Sequence, residues 1–168
     1  MEDRVERHDL ELYLLRHADA GDPAMWRGED AERPLSEKGR GQAEELGRFL
    51  AMSDFSPHAI VSSPKVRALE TAEIVADALG HQVSLDDRLG DRLDLDALGA
   101  LLDDLAGRRI VLVGHDPDFS DLASALSGAS YLPLKKGALA RIDVSLPVQV
   151  AGGILRWLLP PELLRPGD

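Results

Sequence analysis

Leu12-Tyr13-Leu14-Leu15-Arg16-His17-Ala18 is the stretch that decides the fold of this 168-residue chain. Residues 10–15 are apolar enough for a core strand, and Arg16-His17 falls where that strand ends. In open α/β sheets ligands bind at the carboxyl ends of the strands. A guanidinium offers phosphate oxygens a planar, permanently charged fork, and an adjacent imidazole can act as a nucleophile near neutral pH. Arg beside His is common by chance, so the placement carries the information.

Two more strand ends repeat the pattern. Ala59-Ile60-Val61-Ser62-Ser63 reads as a short buried strand ending in two hydroxyls, with Arg67 one turn into the next helix. Arg109 to Gly114 is the strongest strand of the chain and ends at His115. In a mostly parallel sheet these ends share one side, so Arg16, His17, Arg67 and His115 can converge. Two guanidiniums neutralise the equatorial oxygens of a phosphoryl group. One neutral imidazole can then attack phosphorus while the other donates a hydrogen bond. Taken singly, each residue reads as structural, a surface charge or a turn residue; three corresponding strand ends argue for a site.

The intervening segments complete an alternating pattern. Gly21 to Arg33 reads as a polar surface loop. Ser36 is the expected N-cap of a helix over 37–51, whose Gly39 and Gly41 predict a close backbone approach. Pro64 is expected to open a helix over 65–79 that stops at Gly80. Residues 82–85 suit an edge strand, and helices are expected over 95–105 and 120–126. Residues 138–146 and 154–159 read as closing antiparallel strands. The alternation predicts an α/β fold, a three-layer α/β/α sandwich on a mostly parallel central sheet, with one domain over 1–168.

Composition narrows the function classes. Hydrophobic residues at 44% and charged residues at 29% are ordinary for a soluble globular protein. A net charge of -11 and a pI near 4.8 argue against nucleic-acid or anionic-membrane partners. The absence of cysteine excludes disulfides, thiolate catalysis and Cys-ligated zinc. Met1 to Arg7 is charged and lacks the apolar core of a signal peptide, and no stretch reaches membrane-spanning length, so a cytoplasmic protein is expected.

At this point the motifs resemble a known family. Leu14-Leu15-Arg16-His17-Ala18 is similar to the Arg-His-Gly signature of the histidine phosphatase superfamily, which has the phosphoglycerate mutase-like fold. Ser62-Ser63-Pro64-Lys65-Val66-Arg67-Ala68 with Thr71-Ala72 resembles its second element, and Val111-Leu112-Val113-Gly114-His115 its third. Pro34 to Ala43 resembles the helix opening that follows the first motif. The resemblance implies that His17 is the nucleophile that becomes phosphohistidine. It also implies that Arg16 and Arg67 clamp the phosphoryl oxygens and that His115 completes the pocket. Ala18 replaces the usual Gly, a change tolerated unless the backbone needs positive φ. Asp91 is the positional candidate for the proton donor, and equally reads as an acidic loop residue. The short chain favours the branch resembling SixA-type phosphohistidine phosphatases, which often lacks that acid.

The resulting expectation is a metal-independent, cofactor-free phosphatase acting on protein phosphohistidine. The alternatives are a phosphatase of small esters or anhydrides, such as a sugar phosphate or nucleotide, and a non-catalytic phosphate-binding module. Asp19, Asp116 and Asp118 flank the two His and invite a metal, but Arg16 and Arg67 would repel a cation. Lys135-Lys136-Gly137 reads either as a solvated turn or as a rim contact for an anionic substrate. With loop 20–35, it is expected to decide substrate choice.

Overall fold

A strand that is apolar on both faces needs helices on both sides of its sheet. That is what a computed structural model describing residues 9–165 contains. Strands β1 (Leu10–Arg16), β2 (Ala59–Ser62), β3 (Val83–Leu85), β4 (Arg109–Gly114), β5 (Leu139–Val144) and β6 (Gly153–Leu159) form one sheet in the order β3-β2-β4-β1-β5-β6. The first four run parallel, and β5 is antiparallel to both of its neighbours. The expected mostly parallel three-layer architecture is therefore present. The charged stretch Met1 to Arg7 lies outside the described residues.

Alternation along β1 and β4 builds two cores. Leu12, Leu14, Ile110 and Leu112 face helices α3 (Leu95–Asp103) and α4 (Asp118–Ser127). Tyr13, Leu15, Val111 and Val113 face α1 (Glu37–Met52) and α2 (Val66–Leu79). Among the described residues, no helix is long and apolar enough to cross a membrane.

Several boundaries differ from the sequence expectation for local reasons. Lys65, with extended backbone, is the N-cap of α2, so Pro64 precedes the helix instead of opening it. Helix α4 starts at Asp118, two residues early, on a Pro117 N-cap, and α3 stops at Asp103. The polar loop after β1 is not purely superficial. It holds two short 3-10 turns, Pro23–Met25 and Asp30–Glu32, and buries Arg33, which donates to Ala20 O at 2.7 Å.

The start of α1 is fixed against the end of β1. Ser36 Oγ accepts from Gly39 N–H at 3.0 Å and donates to the Asp19 carboxylate at 2.6 Å. A Cβ on Gly39 would stand 1.9 Å from Asp19 O, whereas one on Gly41 would meet nothing within 4 Å. The close approach expected at both glycines is confined to Gly39. Gly39→Ala should therefore lower stability by about 1–3 kcal/mol through backbone displacement. Gly41→Ala should be neutral or gain up to about 1 kcal/mol of helix propensity. Thermal unfolding of the two variants tests this; equal effects would contradict the packing described.

Candidate active site

Strand β4 lies between β1 and β2, and its register aligns their carboxyl ends. Arg16 stands opposite Gly114, and Ser62 opposite Val113. The ladder continues one residue further on both sides: His17 N–H donates to Gly114 O and Ser63 N–H to Val113 O, each at 2.9 Å. The three strand ends thus bring His17 and His115 together, with ring centroids 5.2 Å apart.

His17 is only 6% exposed, and its Nδ1 lies 2.7 Å from Ala18 O. A carbonyl can only accept, so Nδ1 carries the proton and the Nε2 lone pair is left free. Burial drives the His17 pKa down to about 4, aided by Arg67, Arg16 and Lys136, against the opposing pull of the Ala18 carbonyl. His115 is likewise lowered to about 3, first by burial and then by His17, Arg67 and Lys65. Both rings are neutral near pH 7. His115 Nε2 sits 2.7 Å from Ser63 Oγ, which also accepts from Lys65 N–H at 3.2 Å. The Ser63 bond holds the His115 ring through Nε2 and leaves Nδ1 without a protein partner.

The two guanidiniums are anchored at their tips. Arg16 Nη1 donates to Leu134 O at 2.8 Å and lies 3.4 Å from the Asp116 carboxylate. Arg67 donates through Nη1 to Asp30 O at 2.8 Å and through Nη2 to the Asp30 carboxylate at 3.1 Å. Burial raises the Asp30 pKa, but Arg67 and Arg33 outweigh it and hold the carboxyl below its usual range. Thr71 joins α2 to the strand end, donating to Arg67 O at 2.7 Å and accepting from Ala18 N–H at 3.1 Å. Ala18 is fully buried and is not among the non-glycine residues of positive φ, so its replacement of Gly carries no backbone penalty.

Among the described residues, the buried side-chain polar atoms without a hydrogen-bond partner are Arg16 Nε, Arg67 Nε and His115 Nδ1. Buried polar groups are normally paired. Here the exceptions belong to three of the four residues that sequence analysis brought together. Arg16 and Arg67 both act electrostatically on His17, and Arg67 also on His115, so the guanidiniums lie near two neutral imidazoles.

Asp91 is placed differently. It is exposed, and its carboxylate accepts from Arg92 N–H at 2.9 Å. Its neighbour Gly90 packs on Pro64, where an added Cβ would lie 3.3 Å from Ser63 Oγ. Asp91 is thus beside the pocket without touching either imidazole. The acids that invited a metal are otherwise engaged: Asp19 with Ser36, Asp116 with Ser120 and Arg16, Asp118 with Leu93 N–H. Among the described residues no three His or acidic groups converge as a metal-holding set. Sequence reasoning noticed the strand-end Ser63 but not its bond to His115, and it missed Asp30 entirely. Asp30 lies 37 residues from Arg67, and no local pattern announces such a contact.

The geometry brings Arg16, His17, Arg67 and His115 to the carboxyl edge of an α/β sheet. The profile of the Histidine phosphatase superfamily (branch 1) matches residues 12–93. An uncharacterised protein of Picosynechococcus sp. is 35% identical over 137 residues, 77% of this chain and 82% of that protein. The Salmonella paratyphi C protein named "Probable phosphoglycerate mutase GpmB" is 37% identical over 94 residues, and the match spans 53% of this chain but only 40% of GpmB. The protein histidine phosphatase SixA, solved with tungstate, superposes with a TM-score of 0.78 over 93% of this chain and 100% of SixA, at 22% identity. A phosphoserine phosphatase from Entamoeba histolytica, solved with 3-phosphoglyceric acid, gives 0.68 over 93% of this chain and 100% of its own, at 16% identity. The chain belongs to the histidine phosphatase superfamily. Its members are phosphatases and mutases, which places the chain among phosphoryl-transfer enzymes.

The lowered pKa values fix a pH dependence. Protonation of His17 removes its lone pair only as pH falls toward about 4, so the acid limb of kcat/KM that reports it should lie there, well below the ordinary 6.5. The stability contribution has the same sign. An unfolded His binds a proton below 6.5, while His17 and His115 resist it down to about 4 and about 3. Stability is therefore fully present above 6.5 and lost progressively as pH falls through that window. A rate profile and denaturation series from pH 3 to 8 test both; a His17-linked acid limb at 6.5 would contradict the buried, neutral ring.

Proposed function

We propose that the protein is a metal-independent phosphatase that works through a phosphohistidine at His17 and acts on protein phosphohistidine. The observation that carries this reading is a buried, neutral His17 whose Nδ1 is held by Ala18 O, with the His115 ring 5.2 Å away and Arg16 and Arg67 acting electrostatically on His17. The single sheet with both faces covered supports the reading of one domain, over the described residues 9–165.

In the proposed first step, His17 Nε2 attacks phosphorus in line, forming an N–P bond as the bond to the leaving group breaks. Arg16 and Arg67 neutralise the equatorial oxygens, and His115 Nδ1–H donates to one of them. The positive charge that develops on the His17 ring is met by Ala18 O, which already accepts from Nδ1. Water then attacks phosphorus, the N–P bond breaks, Nε2 recovers its lone pair, and the water's protons leave on the inorganic phosphate.

The leaving group decides the substrate. An alkoxide needs a proton in the transition state, whereas a protonated imidazole departs as a neutral group. No carboxylate among the described residues hydrogen-bonds either catalytic ring, and Asp91 is exposed beside the pocket. This favours phosphohistidine. The function carried by SixA's name supports the same substrate, while GpmB's supports the alternative of a small phosphate ester.

His17→Ala should lower turnover about a thousandfold or more, and substrate should leave an acid-labile, base-stable label on the wild-type chain at His17. Chelator should leave the rate unchanged. Wild-type turnover by His17→Ala, or loss to chelator restored by a divalent ion, contradicts the reading. Asp91→Asn should slow alkyl phosphate esters more than phosphohistidine. Equal losses on both, or none on either, removes Asp91 as proton donor.

A further inference from the structure

The turn that follows the loop after α4 is built against the site. Gly137, at φ +80, donates its N–H to both Arg16 O at 3.1 Å and His17 O at 3.0 Å, and Ala138 N–H closes on Lys135 O at 2.9 Å. The backbone of Lys135-Lys136-Gly137 is thereby fixed to the end of β1, and Lys136 comes within electrostatic reach of His17.

Beside this turn lies a cleft of about 510 Å³ with Arg16 as one wall, so it adjoins the phosphoryl site. Its other charged lining residues are Lys38, Lys135, Lys136 and Arg165, with Asp19 and Glu162. Each of the two carboxylates faces two cations. Asp19 lies 3.7 Å from Lys136 and also feels Lys38, while Glu162 bonds Lys135 at 2.7 Å and also feels Arg165. The cleft therefore keeps a surplus of positive charge, in a chain whose net charge is -11. Local cations concentrated against an acidic background are what holds an anion at a defined place.

We propose that this cleft is a second-anion subsite. It receives a carboxylate or phosphate that the substrate carries in addition to the phosphoryl group held by Arg16 and Arg67. The inference rests on the phosphatase reading and narrows its substrate class to phosphorylated molecules with a second anionic group. Lys136 and Lys38 contact that group, and Asp19 keeps the two ammonium groups oriented while the cleft is free of ligand.

Calorimetric binding of two non-hydrolysable probes to the full chain tests this. Phenylphosphonate carries one anionic group and 4-carboxyphenylphosphonate carries two. The wild-type protein should bind the carboxylated probe about tenfold more tightly, as two exposed charge contacts can supply. The advantage should shrink with added salt and disappear in Lys38→Gln/Lys136→Gln. Equal affinities in the wild type, or an advantage that survives the double substitution, overturns the subsite and leaves the phosphatase reading standing. Failure of both probes to bind overturns that reading and the subsite with it. Phosphohistidine peptides with Glu or Gln beside the phosphorylated residue then identify the source of the anion. A Glu preference that the double variant loses assigns it to a protein, and a preference confined to the phosphonates assigns it to a small phosphorylated acid.

Discussion

The parallel register between β1 and β4 is the constraint on which the rest depends. Because Arg16 stands opposite Gly114, the residues that leave the sheet next are His17 and His115, and their rings meet. A slip of one residue would invert every side chain of β1, sending Leu12 and Leu14 to the face now filled by Tyr13 and Leu15. The two cores thus hold the register, and the register holds the site. The nearby backbone bonds from His17 to Gly114 and from Gly137 to Arg16 and His17 extend the same order beyond the last ladder pair.

Desolvation does most of the electrostatic work at that edge. Two imidazoles placed among Arg16, Arg67 and nearby lysines would repel those cations if charged, and burial removes the water that could screen the repulsion. Neutral rings are the low-energy solution, and neutrality is also what nucleophilic attack and hydrogen-bond donation require. The positive charge that remains belongs to the two guanidiniums, which cannot give up a proton, and to the nearby lysines. Packing, charge and chemistry therefore favour the same protonation state.

How much of this was readable in the chain follows from the range of the interactions. Strand ends, the Ser36 cap and the Gly80 stop lie within a few residues of their causes, and they emerge where pattern places them. Gly39 was readable as a close approach, although the same logic applied to Gly41 found no neighbour there. The start of α2 moved because the extended backbone of Lys65 caps it, a choice that Pro64 leaves open. The loop after β1 was opaque. Its two anchors, Arg33 on Ala20 O and Asp30 on the buried Arg67, join residues 13 and 37 positions apart through backbone and side chain together. Ser63 was visible as a strand-end hydroxyl, but its service to His115 exists only across the β2–β4 boundary.

The grip of Asp30 on Arg67 has a consequence for how such a protein can diverge. The fork of Arg67 is held by the loop through Nη1 and Nη2, while its Nε points elsewhere, so the loop's position and the aim of the guanidinium are a single mechanical variable. Changes in length or sequence between β1 and α1 would re-aim Arg67 without altering any residue of the sheet edge. Selectivity can then drift on an exposed segment while the scaffold that sets the chemistry is inherited unchanged.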